Sequence, residues 1–366
     1  MPELTRPSIH DDYTVGWICA LPETELLAAA AMLDEKHPML PAADPRDTNS
    51  YLLGSIGPHN IVIACLPAQT TGKVSAATVA NNLSRSFPAV RFGLMVGTGG
   101  GAPYYGSNDE ATSDYSEEED SEEEEEEDIR DIRLGDVVVS LHSKVSEAVV
   151  QYDFGKSIQG SEFVRAGGRL DKPPAIILSA ISMLQQQHRR KEHRIAELMA
   201  DAGEKNPGVA AEFKCPGAAK DRLFKSEVVH VEGKRPARVC GRDNINLVLR
   251  KERTSPSSEI HYGTIGSADQ VMKNALLRDK WGRSEGILCF EMESAGLMDS
   301  FPCLVVRGIC DYADSHKSKI WQSYAAATAA AYAKELILVI PEQGIMRLPP
   351  VRQRRTRFPV TAKLWN

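Results

Sequence analysis

In the run Leu304-Val305-Val306-Arg307-Gly308-Ile309-Cys310-Asp311-Tyr312-Ala313-Asp314, an apolar segment that reads as a buried strand ends in carboxylates. Ligands of α/β sheets bind beyond the carboxyl ends of the strands, so Asp311 stands where a catalytic carboxylate would. Its competing role is to cap the following helix. Three other segments deliver polar groups to predicted strand ends. The first strand runs into Glu23 and Glu25; the glycine turn 97–101 offers Thr98 and the backbone N–H groups of Gly99 and Gly100; Phe290 leads into Glu291-Met292-Glu293. Taken singly, Glu25 fits a solvated helix face and Glu293 a helix N-terminal carboxylate. Together with Asp311 they suit a reaction that needs an acid, a base and an acceptor for hydroxyl groups.

Other chemistries find less support. The nine histidines include no HExxH, and His188 and His193 are five apart, off a common helix face, so no metal site is expected. The glycine turn lacks the Lys-Ser/Thr ending of a phosphate loop, and no GxGxxG opens a helix after the first strand. Nucleic-acid binding would rest on the basic stretch 214–253 and the basic tail, without interleaved aromatics, and is not expected. No cofactor is called for.

The elements that must position these groups alternate. Strands are predicted at Tyr13 to Ala20, Tyr51 to Ser55, Asn60 to Leu66, Arg91 to Val96, Asp136 to Ser140, Ala148 to Asp153, Ile260 to Gly266, Ile287 to Phe290 and the run ending at Cys310. Helices are predicted from Pro22 to Leu33, Lys73 to Phe87, Pro174 to about Ala202, Asp269 to Lys280, Glu293 to Met298 and Ser323 to Leu336. This alternation argues for one α/β sheet covered on both faces. Residues 204–258, rich in Lys, Arg, Pro and Gly, read as an elaborated connection with short β-like pieces near Val228 to Val231 and Asn246 to Leu249. The basic, proline-containing tail from Arg347 is expected to lie outside the core.

With 366 residues, 42% of them hydrophobic, the chain can bury a sizeable core. No apolar run is long enough to span a bilayer, and Met1 to Asp12 lacks the apolar core of a leader, so neither membrane nor export is expected. Seven cysteines without a CxxC pair fit a reducing compartment, by default the cytosol, with the nucleus as the alternative. The net charge of −7 belongs to one segment: residues 109–128 hold fourteen acidic groups and no Lys or Arg. Without them, 43 basic face 36 acidic residues, a balance of +7. The insertion 104–128 cannot bury apolar surface and repels itself, so it is expected to be disordered.

At this point the residues resemble those of the purine nucleoside phosphorylase / uridine phosphorylase superfamily, in the fungal branch often found at the N-terminus of defence receptors. The matching segments begin at Trp17 (Trp-Ile-Cys-Ala-Leu-Pro), Gly93 (Gly-Leu-Met-Val-Gly-Thr-Gly-Gly-Gly-Ala-Pro), Asp131 (Asp-Ile-Arg-Leu-Gly-Asp-Val-Val-Val-Ser), Val149 (Val-Val-Gln-Tyr-Asp-Phe-Gly-Lys), Phe290 (Phe-Glu-Met-Glu-Ser-Ala-Gly-Leu-Met) and Arg307 (Arg-Gly-Ile-Cys-Asp-Tyr-Ala-Asp-Ser-His-Lys). They cover most of a unit taken as residues 13–340, which leaves 341–366 as a basic tail. The resemblance implies a three-layer αβα sandwich around a central mixed β-sheet, and cleavage of a ribosyl C–N bond. It implies Asp311 as general acid toward the purine N7, Glu293 on the ribose 2′ and 3′ hydroxyls, Met292 against the sugar, and Thr98, Gly99 and Gly100 on the ribose and nucleophile side. Asp269, where the fungal pattern has Asn, is counted with the substrate-binding residues.

Departures choose the nucleophile. Phosphorylases of this kind usually carry an arginine two residues before the glycine turn; here that position is Met95. Methylthioadenosine-type nucleosidases use a first-helix glutamate to position water. Glu25 matches it if Leu-Pro-Glu-Thr-Glu-Leu holds one extra residue, with Glu23 as rival. Both features point to hydrolysis, with phosphorolysis as the alternative and a non-catalytic nucleoside sensor as the alternative of another class. An adenine nucleoside or nucleotide, ATP first, is the expected substrate. Lys73, Lys156, Arg165, Lys273 and Lys317 are the cations that could meet its phosphates. Related enzymes are dimers or hexamers, so a homo-oligomer is expected.

Overall fold

A computed structural model describes residues 9–105, 129–142, 146–160, 163–166, 172–190, 193–230, 244–253, 255, 257–298, 301 and 303–354. The acidic insertion expected to be disordered and the end of the basic tail lie outside them, apart from 104–105.

The strands are β1 (Val15–Cys19), β2 (Glu35–His37), β3 (Tyr51–Ile56), β4 (His59–Cys65), β5 (Phe92–Gly101), β6 (Val137–Ser140), β7 (Val149–Gln151), β8 (Gly155–Lys156), β9 (Val164–Arg165), β10 (Ile260–Ser267), β11 (Ile287–Glu291) and β12 (Cys303–Asp311). All but the β8–β9 hairpin join one mixed sheet in the order β11-β10-β6-β12-β5-β1-β4-β3-β2, with β7 beside β10. The central strands β4, β1, β5 and β12 run parallel, whereas β6 is antiparallel to β12. At the far end β11 returns to pair with Gly100 and Gly101 of β5, so β5, β12, β6, β10 and β11 close into a ring.

Alternation along the strands sorts the core into two layers. Val15, Trp17, Phe92, Leu94, Val96, Leu304 and Val306 face helices Leu27–Met32, Ala175–Arg190, Ile195–Lys205 and Gln322–Val339. Ile18, Met95, Cys303, Val305 and Ile309 face helices Lys73–Ser86 and Ser294–Met298 on the other side. The period-2 pattern thus produces the three-layer αβα architecture, because each face of a central strand needs its own apolar cover. The alanine-rich helix Gln322–Val339 is tightly seated: a Cβ on Gly308 of β12 would collide with the Ala325 carbonyl.

Four expectations are corrected. The glycine turn is not a turn: β5 continues through Gly97, Thr98, Gly99 and Gly100, paired with Arg307 to Asp311 of β12. Local reading sees only the glycines, whereas the pairing that keeps them extended comes from a strand more than 200 residues away. The single helix from Pro174 to Ala202 is two helices, Ala175–Arg190 and Ile195–Lys205. Glu335 accepts hydrogen bonds at this corner from His188 Nε2 (3.1 Å, in the tautomer or charge state that places a proton there) and the Arg194 N–H (3.2 Å), letting both helices apply apolar faces to the same core. The helix expected from Asp269 starts only at Ala275, where the Asn274 side chain accepts the Leu277 N–H (3.1 Å). The tail from Arg347 is not all outside the core, since Val351 is buried and its N–H bonds Val90 O at 2.8 Å.

The connection 204–258 is irregular among its described residues, with a single bridge between Phe224 and Leu247. No helix among the described residues is long and apolar enough to cross a membrane.

Candidate active site

The carboxyl ends of β1, β11 and β12 and the far half of β5 surround a cavity of about 240 Å³. Glu25, Thr98, Gly99, Gly100, Met292, Glu293 and Asp311 all line it, joined by Glu291, Lys317, Phe290 and Gln270.

Glu25 reaches the cavity from a five-residue π-turn, Pro22–Leu26, that precedes helix Leu27–Met32. A π-turn holds more residues per turn than an α-helix, which sets which of its side chains point inward. The turn buries Glu25 and leaves Glu23 exposed, which removes Glu23 from the site. The Glu25 carboxylate accepts four hydrogen bonds. Oε2 takes the Ala20 and Leu21 N–H groups (2.8 and 3.1 Å); Oε1 takes the Thr98 N–H and Oγ1–H (2.8 and 3.1 Å). A Cβ on Gly97 would stand 2.5 Å from Glu25 Cδ and 2.6 Å from Arg307 Nη1, so glycine is what lets these groups meet across β5.

Beneath the cavity floor lies Arg307, fully buried in mid-strand. Nη2 donates to Glu291 Oε2 and stands 3.6 Å from Glu293 Oε2. Burial disfavours the charged guanidinium, but the carboxylates of Glu291, Glu293 and Glu25 outweigh it and hold the pKa above the ordinary value. Glu291 also accepts the N–H groups of Glu293 and Ser294 (both 3.0 Å to Oε2), which anchors the start of helix Ser294–Met298. Its role is to fix the Glu291-Met292-Glu293 corner. Glu293 accepts the Gly72 N–H (3.3 Å to Oε1) across the cavity wall. Gly72 has φ +94°, a left-handed conformation that suits glycine.

Burial raises the Glu293 pKa to about 7; Arg307 opposes this, and Glu291 and Glu25 add to it. Since this folded value exceeds the ordinary 4.5, the native state binds more protons than the unfolded chain between the two. Stability contributed by this group is therefore present below the ordinary value, falls as pH rises toward 7 and is flat above. Glu293→Gln removes the titration, so its melting temperature relative to the unsubstituted chain should become more favourable from pH 5 to pH 8. A difference that does not change with pH overturns this.

Asp311 closes the fourth side. Oδ1 accepts the Ala313 N–H (2.8 Å), and Oδ2 lies 3.1 Å from Lys317 Nζ. A Cβ on Gly100 would come within 2.7 Å of Oδ1, the second place where β5 must be glycine. Asp269, in contrast, does not line the cavity. It is exposed, and its Oδ1 accepts the Lys73 N–H (2.9 Å), tying down the start of helix Lys73–Ser86. Of the five cations expected for phosphates, only Lys317 lines the cavity: Lys73 is committed to Asp153 (2.7 Å) and Arg165 to Glu285 (3.0 Å), while Lys156 and Lys273 are exposed and do not line it. Met95 is buried in the core and does not line the cavity. Among the described residues no three His, Cys, Asp or Glu side chains are grouped to hold a metal ion.

Arg307 and Glu291 are the residues whose roles sequence reasoning missed. Their signal was present: an arginine in a strand otherwise apolar must be buried, and a buried guanidinium requires a carboxylate.

No protein-family model matches the chain. A nucleotide-binding leucine-rich repeat (NLR)-like protein of Hyaloscypha variabilis is 42% identical over 341 residues, covering 93% of this chain and 31% of that protein. The chain thus spans about a third of the length of this relative. Among solved structures it is similar to the 5′-methylthioadenosine/S-adenosylhomocysteine nucleosidase of Helicobacter pylori, with a TM-score of 0.52 at 14% identity over 89% of this chain and 98% of that one. It is similar also to the futalosine hydrolase of Helicobacter pylori (TM-score 0.50, 15% identity, 90% and 98% covered). A third is a 5′-methylthioadenosine/S-adenosylhomocysteine nucleosidase from Streptococcus pneumoniae, solved with a transition-state inhibitor (TM-score 0.50, 16% identity, 90% and 100% covered). At these identities the likeness shows the fold, a central mixed sheet with flanking helices of the nucleosidase and phosphorylase type.

Proposed function

We propose that this chain hydrolyses the N-glycosidic bond of a purine nucleoside and releases the free base. The observation that carries the reading is convergence: Glu25, Glu293 and Asp311, from three different strand ends, the first more than 200 residues from the others, line one cavity with Thr98 and Met292. Their chemistry suits the reaction. Asp311 protonates the departing base at N7, Glu293 accepts the ribose hydroxyls over Met292, and Glu25 orients water toward the anomeric carbon. Both the acid and the carboxylates that stabilise an oxocarbenium-like sugar are then supplied by the chain. The nucleosidase fold of the solved neighbours supports this reading.

Water, not phosphate, is the nucleophile the site favours. Four carboxylates and one cation, Lys317, stand among its described lining residues, and Lys317 is paired with Asp311. An anionic nucleophile would enter a negative field. The same field bears on the expected ATP: a triphosphate finds no unpaired cation among the described lining residues, so a nucleoside without phosphates is the better fit. We take residues 13–340 to be the catalytic unit.

The test is product analysis on the purified chain with adenosine, inosine, guanosine, 5′-methylthioadenosine and ATP, with and without inorganic phosphate. The expected result is free base and free sugar, formed at a rate independent of phosphate. Sugar 1-phosphate formed only with phosphate overturns hydrolysis, and no base from any of the five overturns the purine nucleosidase reading. Base from ATP alone restores the nucleotide.

A further inference from the structure

The connection 204–258 holds the turn that carries Asp311. Tyr312, the next residue, is 3% exposed. Its hydroxyl donates to Asp221 Oδ1 and accepts from Arg250 Nη1 at 2.7 Å. Arg250 is itself bound to Asp221, by an ion pair at 3.2 Å and by donating from Nη2 to the Asp221 carbonyl at 2.9 Å. On the backbone side, the buried Arg278 donates from Nη1 to the Tyr312 carbonyl at 2.9 Å. Tyr312 is thus gripped at both its side chain and its peptide.

What the grip secures is a strained turn. Ala313 has φ +52°, one of two non-glycine residues in left-handed backbone among those described. An L-residue avoids this conformation because its Cβ crowds the following carbonyl, and it persists only where the surroundings over-determine it. In this conformation the Ala313 N–H points at Asp311 Oδ1, 2.8 Å away, and sets the carboxyl's orientation. The same connection continues the hold beyond the turn: Ser315 Oγ accepts the His230 N–H (2.9 Å), and Phe224 stacks on His316 at 3.8 Å.

We infer that Tyr312, held by Asp221 and Arg250 of the connection, is a positioning residue that aims the Asp311 carboxyl at the leaving base. The inference rests on the nucleosidase reading and deepens it: the insert-like connection becomes part of the acid's support, although none of the three side chains lines the cavity.

The experiment is Tyr312→Phe in the full chain, which removes one oxygen and keeps the buried ring, with Arg250→Met as the second variant should the first not fold. Each is assayed on a purine nucleoside that the unsubstituted chain cleaves and on its 7-methylated analogue. In the analogue the base already carries the positive charge and leaves without a proton from the enzyme. Misplacing the acid should lower kcat/KM for the ordinary nucleoside by about tenfold or more and leave the methylated one nearly unchanged, a split that general loosening of the fold would not produce. Ala313→Gly added to Tyr312→Phe should restore part of the loss, because glycine adopts the left-handed turn without the crowding. Equal losses on both substrates, or no loss on either, overturn this inference and leave the nucleosidase reading standing. If the unsubstituted chain cleaves neither substrate, both fall together.

Discussion

Asp311→Asn is expected to slow base release by about 100- to 10,000-fold, the range a positioned general acid contributes. The substitution is nearly isosteric. Its carbonyl oxygen can still accept the Ala313 N–H, and the turn should keep its shape. What disappears is the carboxyl group that can carry a proton to the base, and with it the ion pair to Lys317, whose side chain is 27% exposed and can turn to solvent. Because the acid works only as the C–N bond breaks, the loss should fall on kcat and kcat/KM together. Steady-state kinetics with binding of a non-cleavable nucleoside analogue checks this. An unsubstituted chain that binds the analogue and releases no base would instead be a sensor, and Asn would then leave its binding intact.

Glu25→Gln is expected to produce the second large loss, again about 100-fold or more in kcat, because an amide cannot take a proton from water. The geometry adds a cost in stability. The carboxylate offers about four acceptor positions, and four donors fill them. An amide turns one of those oxygens into a donor, so either the Ala20 and Leu21 N–H groups or the Thr98 N–H and Oγ1–H lose their acceptor. Each buried donor left unmet costs about 1–3 kcal/mol. The melting temperature should therefore fall alongside activity, and kinetics belong below the new transition. A nucleophilic water can reach Glu25 only where Thr98 Oγ1 gives up its bond to Oε1, the one side-chain donor among the four. Glu23→Gln is the matched control: exposed outside the cavity, it should leave activity unchanged. Full activity in Glu25→Gln would end the water-orienting role.

How much of this was legible beforehand follows from how local each signal is. The buried strands were readable because an apolar run of five to ten residues carries its own evidence, and β1, β4, β11, β12 and the first half of β5 lie where their runs predicted. Helix Lys73–Ser86 was bounded by Pro88 in the same way. The glycines of β5 misled because their meaning is set by β12 and β11: read alone they mark a turn, and read against Arg307, Glu25 and Asp311 they are the gaps through which those groups approach. Asp269 misled for a related reason. Its place at a strand end was right, but Lys73 at the head of a distant helix captures it.

Residue type and order along the chain brought Glu25, Glu293 and Asp311 forward as candidates, with Glu23 as rival to Glu25, because a carboxylate at the end of an apolar strand announces itself locally. Which of Glu23 and Glu25 faces inward was decided by the π-turn, whose rotation depends on burial against the sheet. Tertiary structure alone supplied which carboxylates share Arg307 as their counter-charge and the Asp221–Arg250 hold on Tyr312 beside the proposed acid. The physical reason is that hydrophobic periodicity is a property of neighbours in sequence, whereas electrostatic partners are chosen by proximity in space. Glu25 and Thr98, 73 residues apart, become hydrogen-bonded only when β1 and β5 lie side by side.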